Sequence, residues 1–139
     1  MEPTKEAQLV LSIINLNSKM NRKLGGSLSV HGLGVSEFLV LSQLRIAPNQ
    51  TMRRVDLAEK VGLTASGVTR LLNPMEKIGL VEKTASSRDA RVSLVALSKS
   101  GKRVLDEVEM AVNDAAESLL APLDVQRQKQ LAKLVHALA

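Results

Sequence analysis

The feature that most constrains this chain is the segment 55–83, VDLAEKVGLTASGVTRLLNPMEKIGLVEK, because it predicts two short helices joined by a tight turn. Gly62 ends the first helix, since glycine readily adopts the left-handed conformation that closes a helix. Thr64 is a candidate N-cap of the second helix. The apolar side chains of the two helices recur at helical spacing: Val55, Leu57, Ala58, Val61, then Val68, Leu71, Leu72, Met75, Ile78. Two helices with a glycine-containing turn of this length form a helix-turn-helix.

The segment that follows this motif predicts a β-hairpin. Residues 80–84 and 92–97 are short β-prone runs, and the polar stretch SSRDAR lies between them. A helix-turn-helix followed directly by a hairpin with a basic tip is a winged helix, in which the hairpin is the wing. The sequence therefore predicts a winged helix with a charged wing tip.

Upstream of the motif, the pattern predicts two further helices. Residues 4–24 carry apolar side chains at steps of three and four, which is typical of an amphipathic helix. Four glycines then predict a flexible connection: Gly25, Gly26, Gly32 and Gly34. Ser36 is a candidate N-cap of a second helix that ends before Pro48.

Downstream of the wing, the pattern predicts a long helix and a final one. Ser98 caps the long helix, Pro122 interrupts it, and Asp124 caps the last helix. The predicted fold class is mainly α with a small β-hairpin wing. We expect a single domain over residues 1–139, with the winged helix at about 36–100 and dimerisation helices at about 4–24 and 101–139.

Composition excludes several function classes. The chain has no cysteine, which removes disulfides, thiolate metal sites and thiol nucleophiles. Two distant histidines, His31 and His136, do not make a zinc site, which takes three or four ligands. Since no nucleophile elbow or phosphate-binding glycine loop occurs, we expect neither an enzyme nor a cofactor. The N-terminus lacks signal-peptide features and no apolar run reaches the ~18 residues of a membrane helix, which predicts a cytoplasmic protein.

Charge is distributed unevenly along the chain. The net charge is +5, and residues 51–103 alone hold 11 Lys/Arg against 5 Asp/Glu. Residues 104–139 hold 3 Lys/Arg against 6 Asp/Glu. A basic middle segment suits a polyanion such as double-stranded DNA, and a solvated basic surface is the plainer alternative.

These elements together resemble the multiple-antibiotic-resistance regulator (MarR) family of bacterial transcription factors over nearly the whole chain. The resemblance is carried by DLAEKVGLTASGVTRLLNPMEKIGLVEK, by the wing pattern Asp89-Ala90-Arg91 and by LSKSGKRVL at the start of the long helix. It implies a homodimer held by the terminal helices, which binds a pseudo-palindromic operator, usually as a repressor. It also implies release from DNA by a small organic effector bound between the dimer region and the winged helices.

The resemblance implies a set of DNA-binding residues in the motif and the wing. In a helix-turn-helix the first turns of the second helix face base edges in the major groove. The candidates are Arg53, Arg54, Thr64, Ala65, Ser66, Thr69, Arg70, Arg88, Asp89 and Arg91. One departure is Pro74 inside the second helix, where the missing N–H is expected to kink or loosen one turn.

Several of these residues have a second interpretation. Helix capping explains Thr64 better than DNA contact does, and for Asp89 an ion pair with Arg91 is favoured over the role of an ordinary turn former. Arg53 and Arg54 are candidates for phosphate contacts. His31 is a candidate effector residue, because it lies in the connection between the first two helices.

The sequence favours a DNA-binding regulator and leaves two alternatives open. A DNA-binding regulator accounts for the basic middle segment, the motif, the wing and the apolar terminal helices. The alternatives are a winged-helix module that binds another protein and a DNA-binding protein that responds to no effector.

Overall fold

The computed structural model describes residues 1–86, 88–89 and 91–139. Its helices are α1 (Lys5–Ser29), α2 (Val35–Ile46), α3 (Arg54–Val61), α4 (Ala65–Lys77), α5 (Lys99–Leu120) and α6 (Val125–Leu138), with one 3-10 turn at Pro48–Gln50. Its strands are β1 (Thr51–Arg53), β2 (Val81–Ala85) and β3 (Ser93–Leu97). The predicted fold class, mainly helical with a small β-hairpin wing, is confirmed.

Helix α1 is longer than the sequence pattern predicted. The expected flexible connection at Gly25 and Gly26 is wrong, since α1 runs through both glycines to Ser29. Leu28, in the last turn, is completely buried, and this packing outweighs the weak helix propensity of two glycines. The helix closes at Gly32, which has φ 73°, while the Leu33 N–H donates to the Leu28 carbonyl at 3.2 Å.

The start of α2 also differs from the prediction. Ser36 was expected at the N-cap, but Gly34 occupies that position. The Glu37 carboxylate accepts the Gly34 N–H at 2.8 Å, so the first-turn acid satisfies the backbone instead of a serine hydroxyl. The other predicted caps are confirmed: Ser98 Oγ accepts the Gly101 N–H at 3.0 Å, and Asp124 Oδ1 accepts the Arg127 N–H at 2.8 Å.

The wing is a three-stranded antiparallel sheet in the order β1-β3-β2. The hairpin of β2 and β3 was predicted, whereas β1 was not. Strand β1 is only three residues long, so it carries no readable alternation. It is held by its pairing with β3, where Met52 lies opposite Val95.

The chain divides into two compact units. The first, which we call the winged-helix unit, comprises residues 28–109, and the second, the helical unit, comprises residues 1–27 and 110–139. Helix α5 contributes to both units. The assignment of one domain with the boundaries given above stays a prediction. In the described part of the chain, no helix is long and apolar enough to cross a membrane.

The winged-helix unit has a closed core. Among the described residues, every buried apolar side chain except Ala115 belongs to this unit. Fully buried leucines come from α1, α2, α3 and α4, and Val95 of the sheet and Val108 of α5 complete the core. An ion pair between Arg45 of α2 and Asp106 of α5 lies at its surface.

The helical unit exposes its apolar side chains. Between Leu9 and Leu16 of α1, the exposed fractions of the large apolar residues run from 45% at Ile13 to 62% at Leu9. On α6 the values are 64% at Leu134 and 80% at Leu138. A single copy of this unit therefore leaves an extended apolar surface in water.

Candidate nucleic-acid interface

The turn between α3 and α4 has the geometry that the sequence predicted. Gly62 has φ 71°, and the Leu63 N–H donates to the Ala58 carbonyl at 2.9 Å. Thr64 caps α4, because its Oγ1 accepts the Gly67 N–H at 3.0 Å. The capping role of Thr64 is thereby confirmed, and its contact with DNA stays a prediction.

Helix α4 divides into a buried face and an exposed face. Val68, Leu72 and Met75 are buried and fix the helix on the core. The opposite face is exposed and polar, with side chains at positions that follow one another along one side of the helix: Ser66, Arg70, Asn73 and Lys77. The described residues include no hydrogen-bond or ion-pair partner for the Arg70 side chain.

Asn73 was missed by the sequence analysis. It is exposed, and it lies seven residues after Ser66, which places both on the same side of α4. The 3.6-residue period of the helix predicts this placement, but the candidates from the sequence were confined to the first turns of α4, which end before Asn73. Asparagine is the side chain that pairs most directly with adenine in the major groove.

Pro74 does not end the helix. Helix α4 continues through Pro74 to Lys77, and Pro74 itself is exposed. Proline has no N–H, so the carbonyl of Arg70 lacks its usual partner within the helix. This carbonyl lies in the second turn of α4, next to Thr69, whereas Ala65 and Ser66 lie in the first turn.

Thr69 and Arg54 are joined across the two helices. Arg54 Nη1 donates to Thr69 Oγ1 at 3.2 Å, and Thr69 Oγ1 in turn donates to the Ala65 carbonyl at 3.1 Å. The Nε atom of Arg54 is buried and has no partner among the described residues. No sequence pattern predicts this contact, since the two residues lie 15 positions apart and neither residue type implies the other.

Arg53, which precedes α3, forms an ion pair with Asp56 at 2.9 Å. The hydrogen bond from Arg53 lowers the pKa of the Asp56 carboxyl from its ordinary value of 3.8. The same bond raises the pKa of Arg53. Both side chains are exposed enough for the pair to be dynamic, so Arg53 remains available to a phosphate and that role stays a prediction.

The wing tip contains the predicted ion pair. Arg91 donates to Asp89 from its backbone N–H at 3.0 Å and from Nε at 3.1 Å. The side-chain hydrogen bond from Arg91 lowers the pKa of Asp89 from 3.8. Arg88 is exposed and has no side-chain partner in the described part of the wing. Ala90, in the same sequence pattern, lies outside the described residues.

A cavity of about 380 Å³ lies between the start of α3, the first turns of α4 and the base of the wing. Its lining combines three arginines with apolar and hydroxyl side chains: Arg53, Arg54, Val55, Ala65, Val68, Thr69, Arg91, Val92 and Ser93. Five candidate residues from the sequence analysis, the three arginines together with Ala65 and Thr69, are thus brought to one place. Ser66, Arg70 and Arg88 lie outside this lining.

The histidine and metal predictions concern other parts of the chain. His31 is exposed in the turn between α1 and α2, and an effector role for it stays a prediction. Within residues 1–86, 88–89 and 91–139, no group of three or more His, Cys, Asp or Glu side chains is placed to hold a metal ion.

Comparison with known proteins identifies relatives of this arrangement. The sequence model of the MarR family matches residues 33–93. The chain is 26% identical over 109 residues to the HTH-type transcriptional regulator PrsX of Escherichia coli, an alignment covering 78% of this chain and 66% of PrsX. It is 24% identical over 136 residues to the transcriptional repressor MprA of Escherichia coli K12, covering 98% of this chain and 77% of MprA. The chain thus spans just under two thirds of the length of PrsX.

Solved structures show the same fold. A mutant MarR from Escherichia coli, complexed with operator DNA, superposes with a TM-score of 0.85 at 25% identity, over 94% of this chain and 93% of that chain. Sco3205, a MarR family regulator from Streptomyces coelicolor in complex with DNA, gives 0.86 at 24% identity, over 99% and 89%. The relatives are named as transcriptional regulators, which supports the expectation that the chain is not an enzyme. Residues 33–93 thus match the MarR family, and the fold of the chain is that of solved MarR family regulators.

Proposed function

We propose that this protein is a sequence-specific regulator of transcription that binds double-stranded DNA through α4 and the wing. The observation that carries the proposal is the exposed polar face of α4, whose opposite, apolar face is buried in the core. The basic wing tip lies in the same unit. Two structural relatives are complexes with DNA, which supports the same function here.

The candidate residues divide into base readers and positioning contacts. Ser66, Arg70 and Asn73 are the base readers, because hydroxyl, guanidinium and amide groups are the ones that recognise base edges. Arg88 enters the minor groove, and Arg53 and Arg91 contact phosphates after exchanging their carboxylate partners. Thr64 and Ala65 bring the backbone of α4 close to the DNA.

The functional species is a homodimer. The exposed apolar side chains of α1 and α6 support this, since a monomer would leave them in water. We expect the interface to exceed ~2,000 Å², the range of obligate homodimers. Two copies place two winged-helix units on a pseudo-palindromic operator, with recognition helices ~34 Å apart.

Regulation follows from operator occupancy. We propose that the protein represses its targets, as the name of the related MprA states for that protein. A small organic molecule that binds the DNA-incompetent form better than the competent form would release it. The absence of cysteine from the chain removes thiol oxidation as the signal. A regulator controlled by its own abundance alone is the alternative.

Selection of bound fragments from random-sequence DNA tests the proposal. The expected result is a pseudo-palindromic site bound at least ~1,000-fold more tightly than scrambled DNA at physiological salt. Equal affinity for all sequences would reduce the proposal to non-specific binding, and no binding at low salt would remove DNA altogether. A screen of metabolites and phenolic acids for DNA release, with zinc and peroxide as controls, then tests the effector.

A further inference from the structure

Arg54 spans the two helices of the motif. It is the first residue of α3, and its Nη1 donates to the hydroxyl of Thr69 on α4 at 3.2 Å. Its Nε atom is buried without a partner among the described residues. A guanidinium group whose Nε is withdrawn from water, and which reaches a neighbouring helix, is held in place more firmly than an exposed arginine.

The other two arginines around the 380 Å³ cavity are arranged differently. Arg53 pairs with Asp56, and Arg91 pairs with Asp89, each through a carboxylate two or three residues away in sequence. Arg54 has no carboxylate partner in the described part of the chain. Among the described residues, the side chain of Arg54 donates its hydrogen bond to the hydroxyl of Thr69 on α4.

Most of the hydrogen-bonding capacity of the Thr69 hydroxyl is already occupied in this arrangement. A hydroxyl has one hydrogen and two lone pairs. The hydrogen is donated to the Ala65 carbonyl at 3.1 Å, and one lone pair accepts from Arg54. No hydrogen remains for a base acceptor such as guanine O6 or adenine N7. While these bonds hold, Thr69 can therefore accept one further hydrogen bond but cannot donate one.

We propose that Arg54 is a positioning residue for base recognition. It acts through Thr69, whose hydroxyl it holds, so that the first turns of α4 keep a fixed orientation on α3, and it does not bind a phosphate. This inference rests on the proposed function, DNA binding through α4. It replaces the expectation of a phosphate contact for Arg54, and it limits Thr69, a candidate DNA-binding residue, to accepting a hydrogen bond from a base.

The effect on recognition follows from the position of Thr69. Ser66 and Arg70 flank it on α4, and base recognition requires donors and acceptors to be held within about 0.5 Å of their productive places. Loss of the Arg54 contact removes one of the bonds that hold the first turns of α4 against α3, so that these turns can shift slightly. Discrimination between DNA sequences then falls, whereas the number of phosphate contacts stays the same.

The test measures discrimination and salt dependence together. Arg54→Met keeps the apolar stem without charge or donors, and Thr69→Val keeps the shape without the hydroxyl. The dissociation constants of both variants and of the double variant are measured for the selected DNA site and for a scrambled site. Arg88→Met is the matched control, because it makes the same chemical change at an exposed arginine proposed to contact DNA.

We expect Arg54→Met and Thr69→Val each to lower discrimination about tenfold, and the double variant to lower it no further than the larger single effect. The slope of log K against log salt stays at the wild-type value for Arg54→Met. For Arg88→Met the slope changes by about 0.9 for each bound protomer, the value for one positive charge lost from the DNA surface. Thr69→Ser, which keeps the hydroxyl, regains the discrimination lost in Thr69→Val. Circular dichroism at the assay temperature restricts the comparison to folded variants.

Three outcomes would each overturn this inference and leave the proposed function standing. They are additive losses of discrimination in the double variant, a change of salt slope in Arg54→Met equal to that of Arg88→Met, and failure of Thr69→Ser to recover discrimination. A wild-type protein that does not discriminate between the selected and scrambled sites would overturn the proposed function, and this inference with it.

Discussion

The two units of this chain bury their apolar side chains to very different extents. In the winged-helix unit, leucines from four helices are completely buried, and the exposed face of α4 is polar. In the helical unit, most of the large apolar residues of α1 and α6 are about half exposed or more. The winged-helix unit buries its apolar core within a single copy. The helical unit leaves an apolar surface exposed, which a second copy would cover.

The difference indicates how the two units divide the work. A unit with a closed core can present polar side chains in fixed positions, which base recognition requires. A unit with an open apolar surface supplies the free energy of association. The proposed function therefore predicts that damage to the helical unit alters assembly first and DNA binding second, whereas damage to α4 alters DNA binding alone.

The largest expected effect comes from a charge on the apolar surface of the helical unit. Ile13→Asp places a carboxylate among exposed apolar side chains of α1, and burying it in a dimer interface is unfavourable. We expect a monomer at micromolar concentration and a loss of DNA affinity of at least ~100-fold, because the second winged helix is no longer tethered. Sedimentation and gel-shift assays measure the two effects.

Asn15→Asp is the matched control, since Asn15 lies on the polar side of α1 with Ser12 and Lys19. It should remain dimeric. If Ile13→Asp sediments as a dimer with unchanged affinity, the apolar surface of α1 is not the dimer interface.

The second prediction compares one leucine from each unit. Leu57 is completely buried in the winged-helix unit, so Leu57→Ala should lower the free energy of unfolding by about 2–5 kcal/mol. Leu134 is 64% exposed on α6 in the single copy, so Leu134→Ala should act mainly through association. Its effect on the melting temperature should therefore depend on protein concentration. Equal, concentration-independent losses for both variants would contradict the division between the units.

The sequence predicted the fold where local pattern and tertiary packing agree. Thr64, Ser98 and Asp124 are capping residues at the ends of strongly periodic segments, and all three caps are present. Prediction failed where packing overrides propensity. Gly25 and Gly26 lie inside α1 because the next turn buries Leu28, which no local signal encodes.

Prediction of the site was limited in a similar way. The ion pair between Asp89 and Arg91 was readable because the two residues are neighbours in sequence. The contact between Arg54 and Thr69 was not, since it depends on how α3 and α4 pack against each other. Strand β1 was missed because three residues next to a helix do not form a recognisable pattern.

The third prediction concerns base recognition by the winged-helix unit. Asn73→Ala should reduce discrimination at one base pair of each half-site by about 1–3 kcal/mol, the contribution of a bidentate contact. The dimer should remain intact, because Asn73 lies on the exposed face of α4 in the other unit. A panel of single base-pair substitutions measures the change. Uniform weakening across the panel would assign Asn73 to the phosphate backbone instead.

The smallest expected effect concerns the wing tip. Because Arg91 lowers the pKa of Asp89, the pair is ionised at neutral pH, and its contribution is lost only as the pH falls below the ordinary value of 3.8 and through the lowered pKa. An NMR titration of the carboxyl should give a midpoint below 3.8. Arg91→Ala should move the midpoint back towards 3.8. A wild-type midpoint at or above this value would show that the pair does not form in solution.

The central claim is that a dimer assembled by one unit reads DNA with two copies of the other. Its most direct test is sedimentation of the protein with selected DNA whose two half-sites are moved apart by five base pairs. We predict two protomers per intact site, and affinity for the altered site reduced to that of a single half-site, because the recognition helices are held about one helical turn apart. One protomer per site, or unchanged affinity after the insertion, would contradict the account.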